Sequence, residues 1–249
     1  MGHPPFSLVL LLSPAEEAQR RRLGRALLCA TVLCLSPGWI GWGRTSVTDM
    51  FLASAIGLAL FGFALAAGAQ DRPQLRRIGQ SSLALFAGVA VLAKGPVGLL
   101  LPLLVIAAFL LLKGRQLRPR PLKAWLPMAA LLLGVVAPWY ALATAANGSS
   151  FLERFLGYSN LQRFTAVIYN HPGPPWFYLP WLLLLLLPWS LYLPLALSRL
   201  RCWRLSSWRQ PQAPGSDLAL LAALWLVVVV VFFSAAATKL PGYILPALP

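Results

Sequence analysis

Asp49, Lys94 and Lys239 stand where apolar runs begin or end, in Thr48-Asp49-Met50, Lys94-Gly95-Pro96 and Thr238-Lys239-Leu240-Pro241. Proline suits the first turn of a helix, because its missing N–H would be unpaired there anyway. The start of a helix also presents free N–H donors and partial positive charge, so a cation beside it makes a seat for an anion such as phosphate. Arg44, Arg154 and Arg163 belong to the same group of cations, with Glu153 as the one further carboxylate. Asp49 has two readings. A carboxylate there can orient a hydroxyl or take its proton, or Thr48 or Asp49 can simply cap the helix that follows. Lys94 lies in a short linker near the hydrocarbon boundary. An ionisable group deep in a span costs about 2.5–3.5 kcal/mol, so such a residue usually has a partner or a function.

The elements that must position these residues are membrane-spanning. The chain has 249 residues, of which 59% are hydrophobic and 11% charged, and its mean hydropathy is +0.71. Soluble domains run near 25% charged. Apolar runs cover 26–43, 50–69, 78–93, 96–112, 125–146, 176–197 and 217–235, and another opens at 242. Phe6 to Leu12 is too short to cross a bilayer and no basic segment precedes it, which argues against a signal peptide. The expected fold is an all-α polytopic bundle of about 7–8 spans, forming a single transmembrane domain over 1–249.

The net charge of +15 does not point to nucleic acid, because the basic residues cluster in alternate short loops. Arg20, Arg21, Arg22 and Arg25 precede the first run, and Arg72, Arg76 and Arg77 follow the second. Lys113, Arg115, Arg118, Arg120 and Lys123 follow the fourth, and Arg199, Arg201, Arg204 and Arg209 follow the sixth. Those loops are read as cytoplasmic. Arg44, Lys94, Arg154, Arg163 and Lys239, with Asp49 and Glu153, are left on the outer face. The outer loop 147–175 carries Phe151, Phe155 and Tyr158 at helical spacing around Glu153 and Arg154, which predicts a short interfacial helix.

Cys29, Cys34 and Cys202 make no metal or disulfide pattern. His171 is one of two histidines and has no second ligand at metal spacing. No cofactor is therefore expected, although the sequence leaves a divalent metal open.

Several segments occur in an order that carries a resemblance. They are Arg44-Thr45-Ser46-Val47-Thr48-Asp49-Met50, Leu92-Ala93-Lys94-Gly95-Pro96 and Asn160-Leu161-Gln162-Arg163-Phe164. After them come His171-Pro172-Gly173-Pro174-Pro175-Trp176-Phe177-Tyr178-Leu179-Pro180, Leu187-Pro188-Trp189-Ser190, and Phe233 with Thr238-Lys239-Leu240-Pro241-Gly242-Tyr243. Together they resemble the bacterial lipid A aminoarabinose transferases and the related protein mannosyltransferases, membrane glycosyltransferases of the GT-C type. The resemblance implies transfer of a sugar from a polyprenyl-phosphate donor to a lipid or protein hydroxyl, at the outer face of the cell membrane, with inversion at the anomeric carbon. It implies that Lys94, Arg163, Lys239 and Arg44 serve the lipid phosphate and that Asp49 is catalytic. It also implies that the chain lacks the first span and outer loop with which family members begin. The expected partners are the bilayer, the polyprenyl-phosphate sugar and the acceptor, and not nucleic acid. The alternative is a non-catalytic anionic-lipid-binding membrane protein or transporter. A transporter would show internal repeats and charged breaks at mid-span, and the sequence has no convincing repeat.

Overall fold

The structure is a computed structural model that describes residues 19–45, 47–113, 125–148, 150–152, 155, 165–166, 173–199 and 216–248. Its main helices are α1 (Gln19–Leu35), α2 (Pro37–Gly43), α3 (Thr48–Gly68), α4 (Pro73–Lys94), α5 (Val97–Lys113), α6 (Leu126–Asn147), α7 (Tyr178–Leu185), α8 (Leu193–Arg199) and α9 (Ser216–Ala235). Short 3₁₀ helices occupy Trp189–Tyr192 and Pro241–Ala247, and no strand occurs among the described residues. The chain is an all-α polytopic membrane protein. α3, α6 and Asp217–Ala235 of α9 are each long and apolar enough to cross a membrane. α4 has 22 residues, about 33 Å at 1.5 Å per residue, although its first turns carry Arg76 and Arg77.

Small residues let these helices approach closely, as packing inside a bilayer requires. A Cβ on Gly62 of α3 would lie 2.7 Å from Gly79 O, and one on Gly79 of α4 would lie 2.6 Å from Gly62 O. The two backbones of α3 and α4 therefore touch. Gly98 does the same for the α4–α5 turn, where a Cβ would sit 2.2 Å from Ala90 O. Gly95, in that turn, has φ 72°, a conformation that side chains other than glycine's rarely adopt. Ile56, Leu60, Leu101, Val105, Trp225 and Val229 fill the core between α3, α5 and α9. α6 packs on α4, where a Cβ on Gly88 would meet Val135 Cβ at 3.1 Å, but it has no buried residues, and the rest of its apolar surface faces outward, as it can in lipid.

Three sequence-predicted spans take a different form. The run 26–43 is broken at Ser36, where Pro37 opens α2. Ser36 is buried and its hydroxyl donates to Val32 O at 2.6 Å. The break presses Gly38 against α7, where a Cβ would meet Leu185 Cβ at 3.1 Å. The run 176–197 bends by 109° between Tyr178–Leu185 and Trp189–Leu195, because Pro188 has no N–H and its ring opposes a continuing helix. The run opening at 242 is the 3₁₀ helix Pro241–Ala247 instead. Pro246 lies within it, and Ile244 and Leu245 are wholly buried. Trp225 of α9 fastens this segment by donating its indole N–H to Pro246 O at 2.6 Å.

Of the predicted interfacial helix in 147–175, Ser150–Leu152 is helical. Phe155 stacks on Phe151 with centroids 5.9 Å apart and meets Tyr140 of α6 at 5.5 Å. Glu153, Arg154 and Tyr158 lie outside the described residues.

Candidate functional site

The site begins with the ends of α3 and α4. α3 starts at Thr48 after an extended Val47, and no side-chain hydrogen bond caps it. Neither Thr48 nor Asp49 therefore spends its side chain on capping. Asp49 occupies the first turn, and α4, running antiparallel to α3, delivers Lys94 in its last turn. The Lys94 ammonium donates to Asp49 Oδ1. The two side chains remain 20% and 15% exposed, so the pair is shielded from solvent yet reachable.

The 3₁₀ helix Pro241–Ala247 forms the floor of this pair. Lys94 Nζ lies 4.1 Å from the centroid of the Tyr243 ring, where the negative face of the aromatic attracts a cation. Tyr243 is 5.5 Å from Phe233, and Phe233 is 6.3 Å from the buried Tyr178. The Tyr178 hydroxyl accepts a hydrogen bond from Leu240 N at 3.3 Å, which ties α7 to the entry of the 3₁₀ helix. On the opposite side, Gly242 abuts Trp42 of α2 and Asp49.

Lys239 is turned elsewhere. It is 6% exposed, and its ammonium donates to Ser234 O at 3.0 Å and to Ala236 O at 2.5 Å. A lysine so placed neutralises the negative end of α9, while burial pushes its pKa below the ordinary lysine value. Its stem packs on Gly173, where a Cβ would meet Lys239 Cδ at 2.7 Å. Arg44 is exposed just after α2. Arg163 and His171 lie outside the described residues. The structure thus joins Asp49 to Lys94 and gives Lys239 a helix-capping contact. Among the described residues no group of three or more His, Cys, Asp or Glu side chains could hold a metal ion.

No family model matches the sequence. The sequence is 35% identical over 206 residues, 83% of this chain and 35% of the relative, to the undecaprenyl phosphate-α-4-amino-4-deoxy-L-arabinose arabinosyl transferase of Shewanella sediminis. It is 36% identical over 243 residues, 97% of this chain and 42% of the relative, to the protein of the same name from Pseudomonas aeruginosa. The crystal structure of ArnT from Cupriavidus metallidurans bound to undecaprenyl phosphate superposes with a TM-score of 0.75 at 27% identity, covering 92% of this chain and 40% of that one. The chain is a homologue of these arabinosyl transferases. The crystal structure of the Cupriavidus metallidurans ArnT in the apo state gives a TM-score of 0.71 at 25% identity. This homologue spans about two fifths of the length of the relatives it matches.

Within this transferase homologue, Trp42, Gly242, Tyr243 and Tyr178 join the residues singled out from sequence. Gly242 and Tyr243 stand in the Thr238–Tyr243 motif, so a signal for them existed. Tyr178 stands in the His171–Pro180 motif, whereas Trp42 carries no signal, being one of many aromatics in apolar runs.

Proposed function

We propose that this chain contributes the donor-phosphate region of a membrane glycosyltransferase. The donor is a sugar of the 4-amino-4-deoxy-arabinose type on a polyprenyl phosphate, and the acceptor is a hydroxyl, foremost that of a lipid, at the outer face of the cell inner membrane. The observation that carries the reading is the half-shielded Lys94–Asp49 pair, held over Tyr243 at the helix ends. An arriving phosphate competes with Asp49 for the Lys94 ammonium. Binding the lipid phosphate thereby frees the carboxylate beside the reacting centre.

In the reaction the bond from the anomeric carbon to the phosphate oxygen breaks, and a bond from that carbon to the acceptor oxygen forms. The acceptor proton passes to a base, for which Asp49 is the candidate. The charge left on the departing phosphate is met by Lys94 and Arg163. The bent pair α7 and Trp189–Leu195 has no charged residue at its break, which gives the transporter reading no support there.

The test uses the purified chain in detergent with undecaprenyl phosphate, followed by native mass spectrometry. Lys94→Ala and Arg163→Ala are each expected to weaken binding by more than tenfold, the equivalent of losing a charged hydrogen bond of about 1.5–3 kcal/mol. Unchanged binding in both folded variants overturns the phosphate assignment. Binding without release of polyprenyl phosphate from a sugar donor supports the non-catalytic lipid-binding alternative.

A further inference from the structure

Asp49 and Lys94 come from different helices, and the 3₁₀ helix that passes beneath them touches both. Gly242 is the point of contact on the carboxylate side. A Cβ on Gly242 would lie 2.7 Å from Asp49 Oδ2, 2.4 Å from Trp42 Nε1 and 3.0 Å from Trp42 Cε2. Non-bonded carbon contacts are most favourable at about 3.5–4.0 Å, so a single methyl group does not fit. The next residue, Tyr243, places its ring 4.1 Å from Lys94 Nζ. Adjacent residues of one turn therefore contact both partners of the ion pair, one by its ring and one by having no side chain.

We infer that Gly242 is a positioning residue whose missing side chain lets Asp49 and Trp42 close onto the 3₁₀ helix, which holds Asp49 in reach of Lys94. The surrounding packing leaves the helix itself little freedom to retreat. Gly242, Ile244 and Leu245 are buried, and Trp225 holds Pro246 from below. What can give way is the far end of the Asp49 side chain and the Trp42 ring. A methyl at Gly242 thus moves the carboxylate before it moves the backbone. The inference deepens the proposed function, since the pair it sets is the one assigned there to donor and acceptor, but its geometry stands without that assignment.

The experiment reads Lys94 directly. The whole chain in detergent is treated with an amine-acylating reagent, and modification of Lys94 is quantified by mass spectrometry relative to Lys123. An ammonium held by a carboxylate and an aromatic face is less accessible to the reagent than a released one. Gly242→Ala is expected to raise Lys94 modification severalfold, to the level of Asp49→Asn, and the double variant is expected to show no further rise. Gly134→Ala, whose Cβ would meet nothing within 4 Å, is the unchanged control. If Gly242→Ala alone does not fold, Trp42→Ala/Gly242→Ala removes the nearer clash and leaves Asp49 as the group displaced. The same rise is then expected relative to Trp42→Ala. Wild-type reactivity in the Gly242 variants, or a rise additive with that of Asp49→Asn, overturns the inference. Undecaprenyl phosphate binding by Lys94→Ala, measured beside these samples, separates the two ideas. Raised Lys94 reactivity in Gly242→Ala, together with wild-type lipid binding by Lys94→Ala, keeps the positioning role and sinks the phosphate assignment.

Discussion

Lys113 donates to Asp217 Oδ1 at 2.5 Å and joins the last turn of α5 to the first turn of α9. α5 starts beside Lys94 and ends at Lys113, so this pair lies at the other end of that helix from Lys94–Asp49. Lys113 is 3% exposed and Asp217 53%, which makes the pair asymmetric. Removing the carboxylate takes a charged partner from a buried ammonium, whereas removing the ammonium leaves a carboxylate that solvent can reach. Asp217→Asn is expected to cost about 1–3 kcal/mol, and Lys113→Met less. Thermal unfolding in detergent gives the order. Equal losses in both variants would falsify the asymmetric account.

At the other pair the two partners are expected to separate by function. Lys94→Ala loses undecaprenyl phosphate binding. Asp49→Asn keeps that binding, because the ammonium remains and is released from its partner, but it abolishes sugar transfer. Binding and turnover measured on the same preparations distinguish these outcomes. Loss of binding in Asp49→Asn would show that the carboxylate acts by holding Lys94 in place.

Lys239→Met tests a residue whose sequence context and contacts point to different roles. Its ammonium caps the carbonyls of Ser234 and Ala236, and a cation at a helix end contributes about 0.3–1 kcal/mol, up to ~2 where partly buried. The variant is expected to lower the melting temperature while changing lipid-phosphate affinity less than twofold. A large drop in affinity with an unaltered melting temperature would restore Lys239 to the phosphate site.

Two glycines in helices give opposite expectations for the same substitution. Gly98→Ala drives a methyl to 2.2 Å from the Ala90 carbonyl, against backbone that cannot rotate away. Overpacking of this kind costs about 1–3 kcal/mol. Gly134→Ala enters open space on α6 and is expected to be neutral or stabilising by up to about 1 kcal/mol, the helix-propensity gain. Paired unfolding curves settle the contrast.

Trp225→Phe keeps most of the ring that packs edge-on to Phe61 at 5.9 Å and removes the N–H given to Pro246 O. An unsatisfied buried carbonyl costs about 1–3 kcal/mol. Because Pro246 shares its 3₁₀ helix with Gly242 and Tyr243, Lys94 acylation is expected to rise together with the loss of stability. A stability loss without altered Lys94 reactivity would show that the site end of the segment is held independently.

The sequence by itself determined the helical membrane class and sorted the charged residues between the two ends of the helices. Long apolar runs admit only helices in a bilayer, and the alternation of basic loops separated Lys94, Asp49 and Lys239 from Lys113 and its neighbours. The motif Lys94-Gly95-Pro96 also announced the α4–α5 turn, since only glycine accepts the backbone that Gly95 adopts. What the sequence left open was which of these charges meet. Thr48-Asp49 reads equally as a cap and as a functional carboxylate, and only the antiparallel packing of α3 on α4, allowed by Gly62 and Gly79, shows Asp49 spending its oxygen on Lys94. Lys239 looked the same as Lys94 in sequence, yet the fold turns it to the end of α9. Nor does apolar composition distinguish a helix facing lipid from the buried 3₁₀ turn that Pro241–Ala247 forms. Composition fixes the solvent a segment prefers. Its partners are set by close backbone approach between segments far apart in the chain, and that is a property of the tertiary structure alone.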